Sequence, residues 1–156
     1  MKTIALFALL LLSATFYSCD RRKSSSSSAQ VIYADTIVYE ALIHNIDPSA
    51  PWQTDWLKGL NREAYIDKLF ELVYNKEIQV VDYDTQERLS IKDIKEWEAN
   101  NPRSTIGKLQ FTETWSFDNG QFNKHIIAIM PAYEVFTEDG ELRAYKAKVK
   151  MIMKRE

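Results

Sequence analysis

The residue types that carry most enzyme chemistry are few and scattered in this chain. The two histidines, His44 and His125, and the single cysteine, Cys19, do not have the spacing of metal ligands. No glycine-rich phosphate loop or G-x-S-x-G nucleophile motif occurs, and four glycines leave little room for such a loop. We therefore expect no catalytic residue, no metal and no cofactor, and we expect that the protein is not an enzyme.

Glu113 is the most unusual carboxylate, because it lies among apolar residues. From Leu109 to Phe117 apolar and polar residues alternate, which is typical of a half-buried strand. An uncompensated buried carboxylate is costly, so Glu113 should pair with Lys124 or His125, or lie where the sheet is uncovered. Structural pairing is favoured over a partner contact and over acid–base catalysis, since one carboxylate and one histidine do not make an active site.

Asn119-Gly120 predicts a tight hairpin that positions Glu113, because both residue types tolerate positive φ. A three-residue loop beginning at Asp118 is the alternative, and it would shift the register and place His125 opposite Glu113. The two-residue turn is preferred, because it aligns the apolar residues of both strands. Its pairs would be Phe117 with Phe122, Phe111 with Ala128, and Leu109 with Met130.

The first segment of the domain is ambiguous between helix and strand. Val38, Leu42 and Ile46 have helical spacing, and Asp35 is a candidate N-cap. The β-branched residues of 31–39 favour a strand instead. We predict a helix after Asp35. Prolines 48 and 51 end this segment, and Trp52 and Trp56 then follow in a loop or short turn that we expect to cover the core.

The remaining elements give an α+β fold, a largely antiparallel sheet (a meander of hairpins) with two or three helices packed on one face. The helices are 61–75, capped by Asn61, and a second that opens with a capping box at Ser90 and ends at 100–102. Between these helices lies the strand 77–83, and the acidic residues around its end are interpreted as a solvated turn: Asp82, Asp84 and Glu87. Pro131 should interrupt pairing before the strand 132–137 and a turn at 138–141.

The last strand, 142–153, alternates apolar residues with three lysines. Tyr145, Ala147, Val149, Met151 and Met153 are expected to face the core. Lys146, Lys148 and Lys150 would then line the other side, either as a solubilising face or as a docking surface for an acidic partner.

The N-terminus predicts export and lipid attachment. Residues 1–18 resemble a signal peptide whose apolar run is too short to span a bilayer, and Cys19 follows as the predicted lipidation site. Residues 19–30 form a polar, serine-rich tether, and 31–156 form one domain. We expect the domain in the periplasm, anchored by lipid to the outer membrane. The net charge of −2 argues against a nucleic-acid partner.

Four segments in order resemble the gliding-motility and type IX secretion ring family GldN/PorN of Bacteroidetes. They are 66–84, 106–118 with E-x-W-x-F-D, 125–131 with I-I-x-I-x-P, and 139–146 with G-E-x-R-x-Y-K. The resemblance covers about half of the chain. It implies a periplasmic ring component whose partners are envelope proteins, including a lipoprotein, with self-association as a further option. Its framework residues would be Glu113, Trp115, Phe117, Asp118, Pro131, Glu141, Arg143, Tyr145 and Lys146.

Two features depart from that family. Its members are longer than this chain and take their membrane attachment from a partner, so a stand-alone paralogue is an alternative. A second alternative is a small lipoprotein that binds a peptide, glycan or apolar ligand through the sheet face or through Trp52 and Trp56.

Overall fold

The computed structural model describes residues 31–47, 49–118 and 120–154. The predicted signal peptide, Cys19 and the tether lie outside the described residues. Within them, one antiparallel sheet has the strand order β1-β3-β4-β6-β2, and β5 also pairs with β4. The strands are β1 Val31–Leu42, β2 Gln79–Asp82, β3 Ile106–Asp118, β4 Gln121–Phe136, β5 Leu142–Ala147 and β6 Val149–Ile152. The helices are α1 Pro51–Trp56, α2 Arg62–Tyr74 and α3 Ile91–Asn100, with a 3₁₀ turn at Arg103–Thr105. The predicted α+β class is confirmed.

The core lies between one face of the sheet, here called the helix face, and helices α2 and α3. Directly paired residues of antiparallel strands project from the same face, so Leu109, Ile129 and Met151 share this face. From the helices come Ile66, Leu69, Phe70, Val73 and Ile94, all buried. Among the described residues, the core cluster and the residues packed against it lie within 43–153, inside the predicted domain 31–156.

Both predicted caps of the core helices are present. Asn61 Oδ1 accepts a hydrogen bond from the Ala64 amide at 3.2 Å. Ser90 and Asp93 form a reciprocal capping box, with Asp93 N donating to Ser90 Oγ and Ser90 N to Asp93 Oδ2. Each cap satisfies amides that a helix otherwise leaves without partners, which is worth about 1 kcal/mol.

The predicted helix after Asp35 is wrong, because these residues belong to β1. The strand pairs with β3 from Val31–Phe117 to Leu42–Lys108. Asp35 lies at an irregularity between Ala34 and Ile37 instead of at a helix start. Pairing with a neighbouring strand, together with the β-branched residues, outweighs the weak helical spacing.

The hairpin between β3 and β4 has the preferred two-residue connection. Phe117 pairs with Phe122, and Asp118 with Gln121, while Gly120 has a φ of 80°. Asn119 lies outside the described residues. Past Glu113 an irregularity in β4 shifts the register by one residue. The predicted pairs there are therefore wrong: Phe111 pairs with Ile129, and Leu109 with Pro131.

Pro131 does not interrupt β4. The strand stays paired with β3 through this residue. On its other side β4 pairs with β6 at Ala128 and Ile129, and with β5 from Ala132 to Phe136. Pro131, which has no backbone N–H to donate, therefore lies where the partner of β4 changes from β6 to β5.

The predicted last strand is broken at Lys148, and the break inverts which side chains face the core. Tyr145 pairs with Glu134, and Lys146 pairs with Tyr133, which is buried on the helix face. Tyr145 and Ala147 therefore project from the opposite face, called the outer face, so their predicted placement in the core is wrong. Val149 and Met151 are buried as predicted. A one-residue irregularity exchanges the faces, because strand side chains alternate with a period of two.

Trp52 and Trp56 do not cover the core. They lie on the short helix α1, which has no buried residue, and they are 52% and 78% exposed. The preceding Ala50 is the residue that is buried there. Among the described helices, none combines the length and the apolar character that a membrane crossing requires.

Candidate interaction surface

The helix face continues past the helices as a group of exposed and half-buried aromatic side chains, here called the aromatic face. Its members are Tyr33, Tyr39, Phe111, Trp115, Phe117 and Phe122. Tyr33 is 67% exposed, Phe117 45% and Phe122 47%. The alternation that places Leu109 under the helices continues along β3, and no described residue covers the aromatic side chains there.

The rings of the aromatic face pack against one another. Phe117 contacts Tyr33 with the ring centroids 5.4 Å apart and Phe122 with them 5.2 Å apart. Phe122 also packs edge-to-face on Trp115 at 5.5 Å. Tyr39 and Phe111 are stacked at 5.3 Å. Such pairs are worth about 0.5–1.5 kcal/mol each beyond their buried area, so the exposed rings hold one another in place.

Glu113 is the polar centre of the aromatic face and is only 2% exposed. Tyr39 Oη donates a hydrogen bond to Glu113 Oε1 at 2.7 Å, and Trp115 Nε1 donates to Oε2 at 3.0 Å. Lys124 Nζ lies 3.8 Å from Oε2. The predicted pairing with Lys124 is therefore present, but the closest partners are two aromatic residues that the sequence did not indicate.

These contacts determine how the group ionises. Burial alone would raise the pKa of Glu113, but the hydrogen bonds from Trp115 and Tyr39 and the charge of Lys124 together hold it below its ordinary value. The hydrogen bond to this carboxylate, together with burial, raises the pKa of Tyr39 to about 12. At neutral pH the site therefore contains a carboxylate and a neutral phenol.

Lys124 connects this carboxylate to the exposed rings. Its Nζ lies 5.1 Å from the centroid of Trp115 and 5.9 Å from that of Tyr39, within cation–π range. Its side chain is half exposed. Tyrosine and tryptophan, which Lys124 contacts here, are among the residue types that contribute most binding energy in protein interfaces.

The aromatic face lies next to a sheet edge that has no partner strand among the described residues. β1 is the terminal strand of the order, and its inner side pairs with β3. From Ile37 to Leu42 the pairing is regular. This stretch contains no proline or lysine, the residues that commonly protect exposed edges from pairing.

The three candidate lysines of the C-terminal strands do not form one surface. Lys148 lies at the break, where its Nζ is 2.8 Å from Asp82 Oδ2 and 3.3 Å from Asp84 Oδ2. Lys146 lies beside Trp97 on the helix side, and Lys150 is half buried opposite Val81 in β2. The expectation of one lysine-lined side is therefore wrong, because the break inverts the alternation.

The cluster of Asp82 and Asp84 is structural. The hydrogen bond from Lys148 and those from the Thr85 and Asp84 amides lower the pKa of Asp82 to about 2. Asp82 is 8% exposed, so the interpretation as a wholly solvated turn is wrong for this residue. The ion pair fixes the turn after β2 to the break between β5 and β6.

A histidine–glutamate pair on the outer face was missed from the sequence. His44 Nδ1 and Glu134 Oε1 are 2.7 Å apart, with the Glu134 side chain almost fully buried. Gly107 provides the space, because a Cβ atom there would lie 2.1 Å from Glu134 Oε1. The only sequence signal was a glutamate within the apolar run of β4, and its partner is 90 residues away.

The other histidine does not join Glu113. His125 pairs with Thr114, the residue after Glu113, and so projects from the opposite face of the sheet. Within the described residues, no group of three or more histidine, cysteine or acidic side chains has the geometry to hold a metal ion.

Comparison of the sequence with models of known protein families found no match, and neither did comparison with curated proteins.

Proposed function

We propose that this protein is a lipid-anchored periplasmic assembly component of a cell-envelope secretion or gliding-motility apparatus. It binds an envelope protein through the aromatic face and the adjacent edge of β1. The observation that carries this proposal is the uncovered continuation of the helix face, where Phe117 and Phe122 remain nearly half exposed. Exposed apolar patches of this kind mark interaction surfaces.

The partner contributes an extended segment. An extended chain that pairs with the regular part of β1, Ile37–Leu42, gains backbone hydrogen bonds along the free edge. Its apolar side chains then cover Tyr39 and Trp115 on the neighbouring face. Backbone pairing gives affinity and the aromatic face gives specificity, because alternate side chains of such a segment point to the same side.

Burial of Glu113 supports a role for this surface beyond solubility. A carboxylate in this position is costly unless every acceptor site is used. Here it fixes Tyr39, Trp115 and Lys124 in one arrangement. A surface whose side chains are already ordered loses less conformational entropy when a partner binds.

The resemblance and the predicted anchor agree with this location. The E-x-W-x-F-D segment contributes Glu113, Trp115 and Phe117 to the aromatic face. β1 begins at the same end of the sheet, since Val31 pairs with Phe117. A lipid on Cys19 would be connected through 12 residues that reach roughly 40 Å when fully extended. The proposed partner is therefore another membrane-associated protein.

The experiment compares tagged full-length protein after detergent extraction. The double variant Phe117→Ser/Phe122→Ser removes two exposed rings of the aromatic face, and Phe136→Ser is the matched control, because Phe136 is 44% exposed at the other end of β4. We expect wild type and Phe136→Ser to co-purify with the same envelope proteins in a large complex, and the double variant to lose them.

A wild-type protein that is strictly monomeric with no partner, or a double variant that keeps every partner, would overturn the proposal. A complex that contains only copies of this chain would show that the partner is a second copy. Mass spectrometry of the N-terminal peptide tests the anchor separately, since an unmodified Cys19 in a chain that retains Met1 contradicts it.

A second candidate function is a ligand-binding module at α1. Of the large apolar residues that the structure describes, Trp56 is the most exposed, and it lines a groove of about 240 Å³ with Leu42, Gln53 and Leu57. Saturable binding of a peptide or glycan to fragment 31–156 that is lost with Trp52→Ala or Trp56→Ala would favour this function over assembly.

A further inference from the structure

Two edges of the sheet have no partner strand among the described residues on their outward side. β1 forms one of them, and β5 forms the other, since β5 pairs with β4 alone. Ile37–Leu42 of β1 and Ala144–Ala147 of β5 pair regularly with their inner neighbours. Backbone donors and acceptors on the outward sides of both stretches can therefore accept a further strand.

The two edges carry opposite charge. The charged residues of β1 are Asp35 and Glu40, those of β5 are Arg143 and Lys146, and all four residues are exposed. Glu40 also contacts Lys108 of β3 at 2.8 Å, but the Glu40 side chain stays 53% exposed, and a pair of this kind contributes little. The acidic edge and the basic edge are therefore both accessible to a charged partner.

This distribution selects which edges can meet. Two β1 edges bring only carboxylates together, and two β5 edges bring only cations together, since neither strand carries a residue of the other sign. Opposite charges directly across a strand pair stabilise it, and like charges destabilise it. Contact between unlike edges is therefore favoured over contact between like edges.

The strand directions agree with such a contact. β1 is antiparallel to β3, β3 to β4 and β4 to β5, so β1 and β5 run in opposite directions within one sheet. A second copy displaced sideways, with its helices on the same side of the sheet, therefore presents its β5 antiparallel to β1. This contact joins different surfaces of the two copies, so it repeats from copy to copy and does not stop at a dimer.

We propose that the occupant of the β1 edge is β5 of a second copy of this chain. The inference rests on the proposed function, because it names the extended segment that pairs with β1 there. The strand contact is short, and lipid anchors that hold the copies at one membrane surface raise their effective concentration. Phe117 and Phe122 stay open to the envelope protein, since Phe117 pairs with Val31, at the other end of β1 from the stretch that β5 covers.

Side-chain faces and charge together select the register. Val38 and Tyr145 both project from the outer face, and paired residues of antiparallel strands share a face. Pairing Val38 with Tyr145 places Glu40 opposite Arg143, whose guanidinium can donate two parallel hydrogen bonds to a carboxylate. The acidic residues of the turn before β5 lie past Ala41 in this register: Glu138, Asp139 and Glu141.

The same register covers exposed apolar side chains on both faces of β1. Val38 on the outer face is 53% exposed, and Tyr39 on the helix face is 39% exposed. Tyr145 of the second copy lies beside Val38, and Ala144 lies beside Tyr39. An added strand covers both side chains at once, because its own side chains alternate between the two faces.

The first experiment reverses the charges in the full-length protein, extracted in detergent, and follows association by light scattering over a range of concentrations. Glu40→Lys and Arg143→Glu should each weaken self-association by roughly fivefold to tenfold, because an opposite pair becomes a like pair. The double variant Glu40→Lys/Arg143→Glu should restore it, since the pair is then opposite again. Glu77→Lys, an exposed charge reversal before β2, is the matched control and should associate as wild type does.

The second experiment tests the register by disulfide cross-linking between differently tagged copies. Val38→Cys in one copy and Tyr145→Cys in the other should give a cross-link that joins the two tags, because directly paired residues have Cβ atoms about 5 Å apart. Each variant mixed with wild type is the control for Cys19, which every copy carries.

Three results would overturn this inference. One is a wild-type protein that does not self-associate at any concentration. Another is a double charge reversal that folds, by circular dichroism, but does not restore association. The third is a dimer that cross-links through Val38→Cys in both copies, which would show contact between two β1 edges. If wild type and both single reversals still co-purify with the same envelope proteins, the proposed function stands while this inference fails.

Discussion

Replacing Glu113 tests whether the aromatic face depends on its buried carboxylate. Glu113→Ala removes the acceptor for Tyr39 Oη and Trp115 Nε1, and it removes the countercharge of Lys124. Glu113→Gln keeps the shape of the side chain and one acceptor oxygen. The other oxygen is replaced by an NH₂ group, a donor that faces the donor groups around it. The alanine variant should therefore be less stable than the glutamine variant, and both less stable than wild type.

The magnitude follows from these contacts. A hydrogen bond to a charged group contributes about 1.5–3 kcal/mol, and two are lost in Glu113→Ala. Tyr39 and Lys124 are partly exposed and regain water contacts, so the lower part of the range applies to each. We expect the free energy of unfolding to fall by about 3 kcal/mol for Glu113→Ala and by about 1 kcal/mol for Glu113→Gln. The first loss corresponds to roughly 6–15 °C in melting temperature.

The assay is urea denaturation of fragment 31–156 followed by tryptophan fluorescence, with Glu138→Ala in the exposed turn after β4 as control. Because the pKa of Glu113 is lowered in the fold, the carboxylate stabilises the protein above the pKa of the unfolded chain, about 4.3. This stabilisation is lost as pH falls through the lower folded value. The difference between wild type and Glu113→Gln should therefore be constant from pH 6 to 8 and shrink below about pH 4. A Glu113→Ala protein as stable as wild type at pH 7 would refute this account.

Three further predictions concern other parts of the fold. Asp82→Asn removes the ion pair with Lys148. Because folding lowers the pKa of Asp82 from 3.8 to about 2, the stability advantage of wild type should disappear as pH falls from about 4 to 2. Acid titrations followed by circular dichroism measure this, and a difference that persists at pH 2 would contradict it. Tyr133→Phe removes a buried hydroxyl that has no hydrogen-bond partner among the described residues, so thermal unfolding should show unchanged stability or a gain of up to about 1 kcal/mol, and a clear loss would reveal a partner. Gly107→Ala inserts a methyl group against the buried Glu134 carboxylate, so calorimetry should show a loss of about 1–3 kcal/mol, whereas the same change at exposed Gly59 should cost little.

The sequence predicted the elements that are specified locally. Asn61 and Ser90 cap their helices through contacts three residues away, and the two-residue connection before Gln121 follows from local turn chemistry. The alternation along β3 identified the strand and the exceptional position of Glu113. Each of these signals lies within a few residues of the feature it predicts.

What the sequence did not predict depends on distant contacts or on single-residue irregularities. Tyr39 reaches Glu113 across 74 residues, and its strand was predicted as a helix because edge pairing leaves no local signature stronger than helical spacing. The break at Lys148 inverts the faces of the last strand, yet its ion pair with Asp82 joins residues 66 positions apart. The pairing of His44 with Glu134 likewise requires the two chain segments to be brought together by the sheet.

The length of β4 has a mechanical consequence. This strand of 16 residues extends over roughly 50 Å. It pairs with β3 along one side, and with β6 and then β5 along the other. A pull along its axis loads all of these hydrogen-bonded ladders in parallel, instead of opening them one bond at a time. A load applied between Phe122 and Phe136 would therefore be opposed by the ladders with β3, β5 and β6 together.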